Sequence, residues 1–271
     1  MTRRSRPERA MRCCLLLLAV LAAAASGIAD AAGPDGIRVI LVGDSTLAPR
    51  NGYGDALCAR FTPQVACLNL AKNGRSSGSY RAEGSWNPVA ALLAGNAAFS
   101  ATYVLVEFGH NDQPGKPGRS TDLQTEFPAN LARYVDEIRT SGATPVLVTP
   151  LSRRSFKGAV LVDDLAPWAA AARTVAGAHG AVLVDLHAAS TAAVQAMGEA
   201  EADTLAVEPP PARAASADVD RATTETTGAA RSAFDHTHVG AKGAQLFARM
   251  VEGLLRREVP ALAPCFKPDT E

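Results

Sequence analysis

Several patterns that mark common classes of protein are missing from this sequence. It contains no Cys-x-x-Cys pair, so nothing supports a structural zinc site, and no segment of the chain repeats another. Its 27 basic residues equal its 27 acidic residues. Beyond residue 12 the basic residues form neither a stripe nor a cationic amphipathic helix. We therefore expect neither a nucleic-acid partner nor a stable association with membranes.

Hydrophobic runs long enough to cross a membrane are also missing. The apolar run "CCLLLLAVLAAAAS" is too short for a comfortable transmembrane helix. Five arginines precede it, and the small residues "ADA" follow it. This layout predicts a secretory signal peptide at residues 1–31, with an uncleaved N-terminal anchor as the alternative. We therefore expect a secreted or periplasmic protein, slightly acidic once five basic and two acidic residues are removed with the signal.

Cysteine is scarce in the rest of the chain. Two of the five cysteines lie in the predicted signal peptide, which leaves Cys58, Cys67 and Cys265. In an oxidising compartment Cys58 and Cys67 could pair and close a small loop. Three free thiols are the alternative, and the sequence leaves both possibilities open.

The remaining chain alternates between apolar β-branched runs and segments with helical spacing. Such alternation predicts a parallel sheet covered by helices on both faces, here with five strands in a single domain at residues 32–271. The predicted strands are 37–45, 64–71, 101–109, 143–150 and 181–186, and the predicted helices are 54–61, 127–142, 163–180 and 240–259. Residues 199–231, rich in proline, alanine and threonine, are predicted to form a long surface loop.

Polar residues follow three of the predicted strands. The first strand ends in "GDST", the second in "AKNGRSSG" and the third in "GHND". The turn "DHTH" precedes the last helix, from where it could reach the same edge. Ligands bind open α/β sheets at the carboxyl ends of their strands, so these four segments predict a functional site.

The same four segments resemble the sequence blocks of the SGNH/GDSL hydrolases, and in particular the rhamnogalacturonan (pectin) acetylesterase branch. "GDST" is similar to the first block, "NGRSS" with "AEGSW" to the second, "FGHNDQ" to the third and "DHTH" to the last. "VTPLSRRSF" and "VLVDLHAAS" are also similar to that branch, so the resemblance extends over about residues 37–257. It implies a three-layer α/β/α fold of the flavodoxin type.

The resemblance also implies a role for individual residues. Ser45 would be the nucleophile, His238 the base that takes its proton, and Asp235 the group that orients the histidine. The donors of the oxyanion hole would be the backbone N–H groups of Ser45 and Gly74 and the side-chain amide of Asn111. Such a mechanism requires no cofactor and no metal ion.

Each assignment has an alternative that the residues alone leave open. Ser45 could cap the first helix, Gly74 could serve only a turn, and Asn111 could form an Asx-turn. "GRSSG" formally matches G-x-S-x-G, which would make Ser76 the nucleophile, although "SYRAEGSW" does not resemble the helix that should follow. "DHTH" with His110 could instead bind a metal ion, which would leave Ser45 without a role.

The expected function is removal of acetyl groups from a pectic polysaccharide through an acetyl-serine intermediate, by a monomer whose partner is the acetylated polysaccharide. Arginine suits galacturonate carboxylates, and Trp86 could equally be a core residue. The residues expected to line the cleft are Arg75, Tyr80, Trp86, Arg153 and Arg154. The alternatives are an esterase for lipid or small acyl esters, such as a lysophospholipase or thioesterase, and a catalytically silent carbohydrate-binding protein.

Overall fold

The computed structural model describes residues 36–208 and 234–268. The predicted signal peptide and most of the predicted 199–231 loop lie outside these residues, so both stay predictions, as does the domain boundary at residue 32. Among the described residues, no helix is long and apolar enough to cross a membrane.

Five parallel strands form the central sheet, as the sequence predicts. They are β1 (Ile37–Gly43), β2 (Val65–Asn69), β3 (Ala101–Glu107), β4 (Thr144–Val148) and β7 (Val182–Val184). Their order is β2-β1-β3-β4-β7, and a separate antiparallel hairpin consists of β5 (Phe156–Lys157) and β6 (Val160–Leu161). Strand β2 lies on one side of β1, and β3 lies on the other. The connections therefore change direction between β1 and β3, which is the topological switch point of the sheet.

Helices cover both faces of the sheet because successive side chains of each strand point to opposite faces. In β1, Val39 and Leu41 pack in one core, whereas Ile40 and Val42 pack in the other. The helices are α1 (Gly54–Arg60), α2 (Ser79–Ala82), α3 (Asn87–Ala94), α4 (Glu126–Thr140), α5 (Ala166–His179), α6 (Leu186–Asp203) and α7 (Ala241–Glu258). Short 3₁₀ helices follow at Asn96–Ala98 and Pro260–Cys265. The three-layer α/β/α architecture is confirmed.

The predicted start of the surface loop, at residue 199, is wrong. Residues 199–203 belong to α6, which starts after Asp185, whose carboxylate accepts a hydrogen bond from the Ala188 N–H at 3.3 Å. The helix is interrupted at Gly198 and continues because Ala202 is fully buried against the core. The acidic residues of this stretch are typical of a surface loop, and the sequence gives no sign that Ala202 is buried.

The Cys58–Cys67 pairing that the sequence allowed is present in the structure. A disulfide joins α1 to β2, with the two Cα atoms 5.4 Å apart. Cys265 is a free thiol in the C-terminal 3₁₀ helix. The bridge anchors the edge strand of the sheet to the helix that follows the first strand.

Candidate active site

The loop after β1 carries Ser45 at the switch point of the sheet. The Asp44 carboxylate accepts hydrogen bonds from the backbone N–H and the hydroxyl of Thr46, at 3.0 and 2.9 Å. Helix α1 begins only at Gly54, so Ser45 does not cap it. Within the described residues, the Ser45 hydroxyl has no hydrogen-bond partner. The Ser45 side chain therefore lies next to a tight turn, but its hydroxyl forms no hydrogen bond within that turn.

The turn before α7 brings an acid and an imidazole together. His238 Nδ1 lies 2.7 Å from Asp235 Oδ2, and the backbone N–H groups of Thr237 and His238 donate to Asp235 Oδ1 at 2.8 and 3.0 Å. Partial burial raises the pKa of Asp235, but the hydrogen bonds from His238 and from the two N–H groups outweigh it and leave the pKa below its usual value. Asp235 therefore stays ionised and can orient the imidazole.

A buried guanidinium holds this turn in place. Arg154 is fully buried, and it donates to the carbonyl groups of Asp235 and His238 at 2.8 Å and of Thr237 at 3.3 Å. Its backbone N–H also donates to the carbonyl of His236 at 2.9 Å. The prediction that Arg154 lines the substrate cleft is wrong, because its donors point into the turn. It is a positioning residue for the Asp235–His238 pair.

The same turn is attached to the loop that carries Ser45. The Val239 N–H donates to the Asn51 carbonyl at 3.0 Å, and the Tyr53 N–H donates to the Thr46 carbonyl at 2.9 Å. These two bonds connect the residue after His238 to the residue after Ser45 through one short loop. Segments distant in the sequence thus meet at one edge of the sheet.

Three donors at this edge match the predicted oxyanion hole. Within the described part of the chain, the backbone N–H groups of Ser45 and Gly74 have no acceptor. The Asn111 amide nitrogen donates one hydrogen to the Arg75 carbonyl at 3.1 Å, which leaves its second hydrogen available. Ser45 is buried, where nearly all N–H groups are paired in folded proteins, so its unpaired N–H beside a candidate nucleophile is notable. Gly74 is only half-buried.

Arg119 orients the Asn111 amide, a role that the sequence did not suggest. Its Nη1 donates to Asn111 Oδ1 at 3.2 Å, which turns the amide nitrogen the other way. The same Nη1 would lie 3.6 Å from a Cβ atom built on Gly74. Gly74 itself has φ +74°, a conformation that favours glycine. The guanidinium therefore lies next to both of the donors that extend from the second and third strands.

Beneath the Ser45 loop lies a buried carboxyl group. Glu107, at the end of β3, is fully buried and accepts hydrogen bonds from the Leu151 N–H at 3.1 Å and from the Tyr53 hydroxyl. Its Oε1 atom lies 3.0 Å from the Thr46 hydroxyl oxygen. Burial and the nearby Asp44 carboxylate raise its pKa to about 8, against the effect of these hydrogen bonds. Glu107 therefore connects β3, β4 and the nucleophile loop in one network.

Two further buried groups, Asp112 and His110, lie in the loop after β3. Asp112 accepts from the Ser77 N–H at 3.1 Å and from the Thr121 hydroxyl at 3.0 Å, and burial raises its pKa to about 7. His110 Nδ1 lies 3.4 Å from Asp44 Oδ2. Burial lowers the pKa of His110, although Asp44 opposes this shift. His110 is thus a buried histidine beside Asp44.

Two aromatic residues predicted to contact substrate are core residues instead. Tyr80 is fully buried and its hydroxyl donates to the Leu70 carbonyl at 2.7 Å. Trp86 is 6% exposed, packs on Tyr134 and donates from its indole nitrogen to Glu137 at 2.6 Å. The prediction is wrong for both, because the Tyr80 and Trp86 rings pack in the core on one face of the sheet.

The other two predicted substrate arginines already have partners. Arg75 donates to Glu83 Oε2 and to the Asn73 carbonyl, at 2.7 and 2.8 Å. Arg153 donates to Gln113 at 2.9 Å and to Thr237 at 3.2 Å, and it forms an ion pair with Asp164. Arg153 thereby connects the loop after β3 to the Asp235–His238 turn. To contact a substrate, either guanidinium would have to bind the substrate and its present partners at the same time.

The geometry does not favour Ser76 as a nucleophile. A helix of one turn, α2, does open after it, contrary to the sequence-based expectation. Ser76 is nevertheless fully buried, and its hydroxyl donates to Ser79 Oγ at 3.1 Å and accepts from the Ser79 N–H at 3.1 Å. The Ser76 hydroxyl is therefore used in the turn that leads into α2.

The histidines considered for a metal site face three different carboxylates. His110 faces Asp44, His238 faces Asp235, and His236 Nδ1 lies 3.4 Å from Asp203 of α6. Within residues 36–208 and 234–268, no group of three or more His, Cys, Asp or Glu side chains is arranged to hold a metal ion.

An aspartate–histidine pair, a neighbouring serine and unpaired N–H donors at the switch point of a flavodoxin-type sheet are typical of serine hydrolases. Residues 28–246 match the model of the GDSL-like Lipase/Acylhydrolase family. The match extends over most of the chain, and the protein belongs to this family. It is a carboxylic ester hydrolase.

The chain is similar to two characterised or named proteins of Bacillus subtilis strain 168. It is 30% identical to the rhamnogalacturonan acetylesterase RhgT over 233 residues, which are 83% of this chain and 92% of that protein. It is 28% identical to the probable rhamnogalacturonan acetylesterase YesY over 169 residues, 60% of this chain and 76% of that protein. These similarities confirm the resemblance that the four sequence blocks indicate.

Solved structures support the fold. The Bacillus subtilis protein YXIM superposes with a TM-score of 0.61 and 19% identity, over 83% of this chain and 57% of that one. The acetyl-xylooligosaccharide esterase Axe2 of Geobacillus superposes with a TM-score of 0.55 and 17% identity, over 83% of this chain and 95% of that one. At such identities the likeness shows the shared fold alone.

Proposed function

We propose that the protein is a secreted serine esterase that removes acetyl groups from a pectic polysaccharide, rhamnogalacturonan. The observation that carries the chemistry is the 2.7 Å contact between His238 Nδ1 and Asp235 Oδ2, in a turn bound to the Ser45 loop. The similarity to RhgT, an enzyme named for rhamnogalacturonan, supports the substrate.

In the proposed reaction, the Ser45 hydroxyl oxygen attacks the acetyl carbonyl carbon while the Nε2 atom of His238 takes the hydroxyl proton. Negative charge develops on the carbonyl oxygen, where the Ser45 and Gly74 N–H groups and the Asn111 amide would stabilise it. Collapse of this intermediate releases the sugar hydroxyl, which takes the proton from His238. Water, deprotonated by His238, then attacks the carbonyl carbon of acetyl-Ser45. Acetate leaves as the Ser45 oxygen takes the proton back from His238.

Asp235 contributes by staying ionised throughout. Its pKa lies below the usual value, so it does not compete for the proton that His238 carries between the two steps. It holds the imidazole in the tautomer whose Nε2 can accept a proton and stabilises the imidazolium that forms. Arg154 keeps the turn in this geometry through its three carbonyl contacts.

The experiment is release of acetate from acetylated rhamnogalacturonan, acetylated xylan and p-nitrophenyl esters of increasing chain length. Ser45→Ala should lower kcat by roughly four to six orders of magnitude, whereas the matched control Ser76→Ala should retain activity. A fluorophosphonate should label the peptide that contains Ser45. Activity that survives in Ser45→Ala would refute the nucleophile, and preference for octanoyl esters or acetylated xylan would refute the substrate.

Export is proposed from the layout of residues 1–31 and agrees with the Cys58–Cys67 disulfide, since such bridges persist in oxidising compartments. The mass of the intact protein recovered from the periplasm or the medium tests it. A chain shortened by about the predicted signal length is expected. A full-length chain retained in the cell would contradict export.

A further inference from the structure

A cationic groove lies beside the candidate oxyanion hole. Its cavity has a volume of about 350 Å³ and is lined by residues 48–50 of the loop after β1 and residues 71–73 and 75 of the loop after β2. Gly74, a proposed oxyanion donor, lies within the second of these segments. The groove is open to solvent, and its lining residues Asn73 and Arg75 flank Gly74 in the chain.

Two of the cations in this groove have no partner among the residues that the structure describes. Arg50 and Lys72 are exposed, and neither forms an ion pair or side-chain hydrogen bond with any residue that the structure describes. Arg75, the third cation, is already paired with Glu83. The groove thus presents at least two uncompensated positive charges, which are suited to an anion that arrives from outside.

The backbone of Arg50 is held in an unusual conformation. Its φ of 77° is in the left-handed region, where residues other than glycine are uncommon. The loop closes tightly around it, because a Cβ atom on Gly52 would lie only 2.3 Å from the Thr46 carbonyl oxygen. The next residue, Asn51, binds the turn that carries His238. Such strained positions often occur at ligand-binding sites, and this one fixes Arg50 relative to the catalytic residues.

We propose that this groove is a subsite for the carboxylate of a uronic acid residue next to the acetylated sugar, with Arg50 and Lys72 as its ligands. This inference rests on the proposed function. A neutral chain such as xylan gains nothing from two free cations, whereas a guanidinium and an ammonium both bind carboxylates. The subsite thus sets the preference for a charged polysaccharide independently of the acyl-transfer chemistry.

The test is calorimetric titration with rhamnogalacturonan oligosaccharides that lack acetyl groups, in free-carboxylate and methyl-esterified forms. Wild type should bind the free form about tenfold more tightly, the size expected of two partly exposed ion pairs, and salt should reduce this preference. The double substitution Arg50→Ala and Lys72→Ala should abolish it. The control Arg249→Ala, an exposed arginine of α7, should keep it.

A charge-conserving pair, Arg50→Lys with Lys72→Arg, keeps the test decisive if the alanine variant fails to fold, since it should retain the preference. Equal affinity of wild type for the free-carboxylate and methyl-esterified forms would refute the subsite. It would also be refuted if wild type bound xylo-oligosaccharides as tightly as the free-carboxylate form. An unchanged preference in a folded alanine variant would likewise refute it. Because the ligands carry no acetyl group, these outcomes do not depend on whether Ser45 is the nucleophile.

Discussion

Replacing Glu107 by glutamine should change how the stability of the protein depends on pH. The pKa of Glu107 is raised from 4.5 to about 8, because the carboxyl is buried and lies near Asp44. Between these two values the folded protein keeps the Glu107 proton, whereas the unfolded chain has lost it. The folded state then binds more protons than the unfolded state, so stability falls as pH rises through this range. A glutamine cannot titrate and removes this contribution.

The size of the effect follows from the two pKa values. Between about pH 6 and pH 8, ionisation of Glu107 in the unfolded chain should cost wild type about 2 kcal/mol of unfolding free energy relative to Glu107→Gln. The glutamine carbonyl can still accept from the Leu151 N–H, and its amide would face the Tyr53 hydroxyl. Any mismatch there should be a constant cost of about 1 kcal/mol at every pH.

Equilibrium unfolding in urea at several pH values measures this difference. Asp112, with its pKa raised to about 7, affects both proteins alike, so only the difference between them reports Glu107. The control Glu258→Gln, a partly exposed carboxyl at the end of α7, should run parallel to wild type. If the profile of Glu107→Gln were also parallel to wild type, the reasoning about the buried carboxyl would be refuted.

Three further substitutions test the site itself. Asp235→Asn should lower kcat on an aryl acetate about 10⁴-fold with little change in KM, since His238 would lose the anion that sets its tautomer; a small loss would contradict the triad. Asn111→Ala should lower kcat by about 10²–10³, measured on the same substrate, and an unchanged rate would remove Asn111 from the oxyanion hole. Arg154→Met leaves buried carbonyl groups unpaired and should cost about 3 kcal/mol in urea unfolding together with a fall in kcat. Arg154→Lys should recover part of both, and an unchanged kcat in a folded Arg154→Met would refute the positioning role.

The elements of the fold could be predicted because their signals are local. Strands β1 and β3 are continuous apolar runs, as expected for strands buried on both faces, and their bounds end within two residues of the predicted ones. The predicted stop of α5 at Gly180 is confirmed by its left-handed φ of 60°. Helix α6 was not predicted at all, and its residues 199–203 were assigned to the surface loop, because its buried positions are few and its last turns are acidic.

The destinations of long side chains could not be predicted in the same way. Tyr80, Trp86 and Arg154 all lie in or near segments that resemble the family's sequence, and each carries a polar group that suits a sugar. Whether such a side chain faces the cleft or the core depends on which segment packs over it. Arg154 points inward because it satisfies carbonyl groups of a turn more than 80 residues later in the chain.

The sequence by itself determined the five strands of the sheet, the helices α1, α4, α5 and α7 and the positions of the four polar segments, since these depend on residue type and short spacings. The candidate triad residues followed from the resemblance of those segments to the family's sequence blocks. Only the tertiary structure decided which donors remain unpaired, that Arg119 orients Asn111, and that Glu107 lies beneath Thr46 with a raised pKa. It also brought Arg50 and Lys72 to one groove. These features arise from contacts between segments far apart in the chain, where burial and distance decide hydrogen bonding and charge, and neither quantity is written in a local pattern.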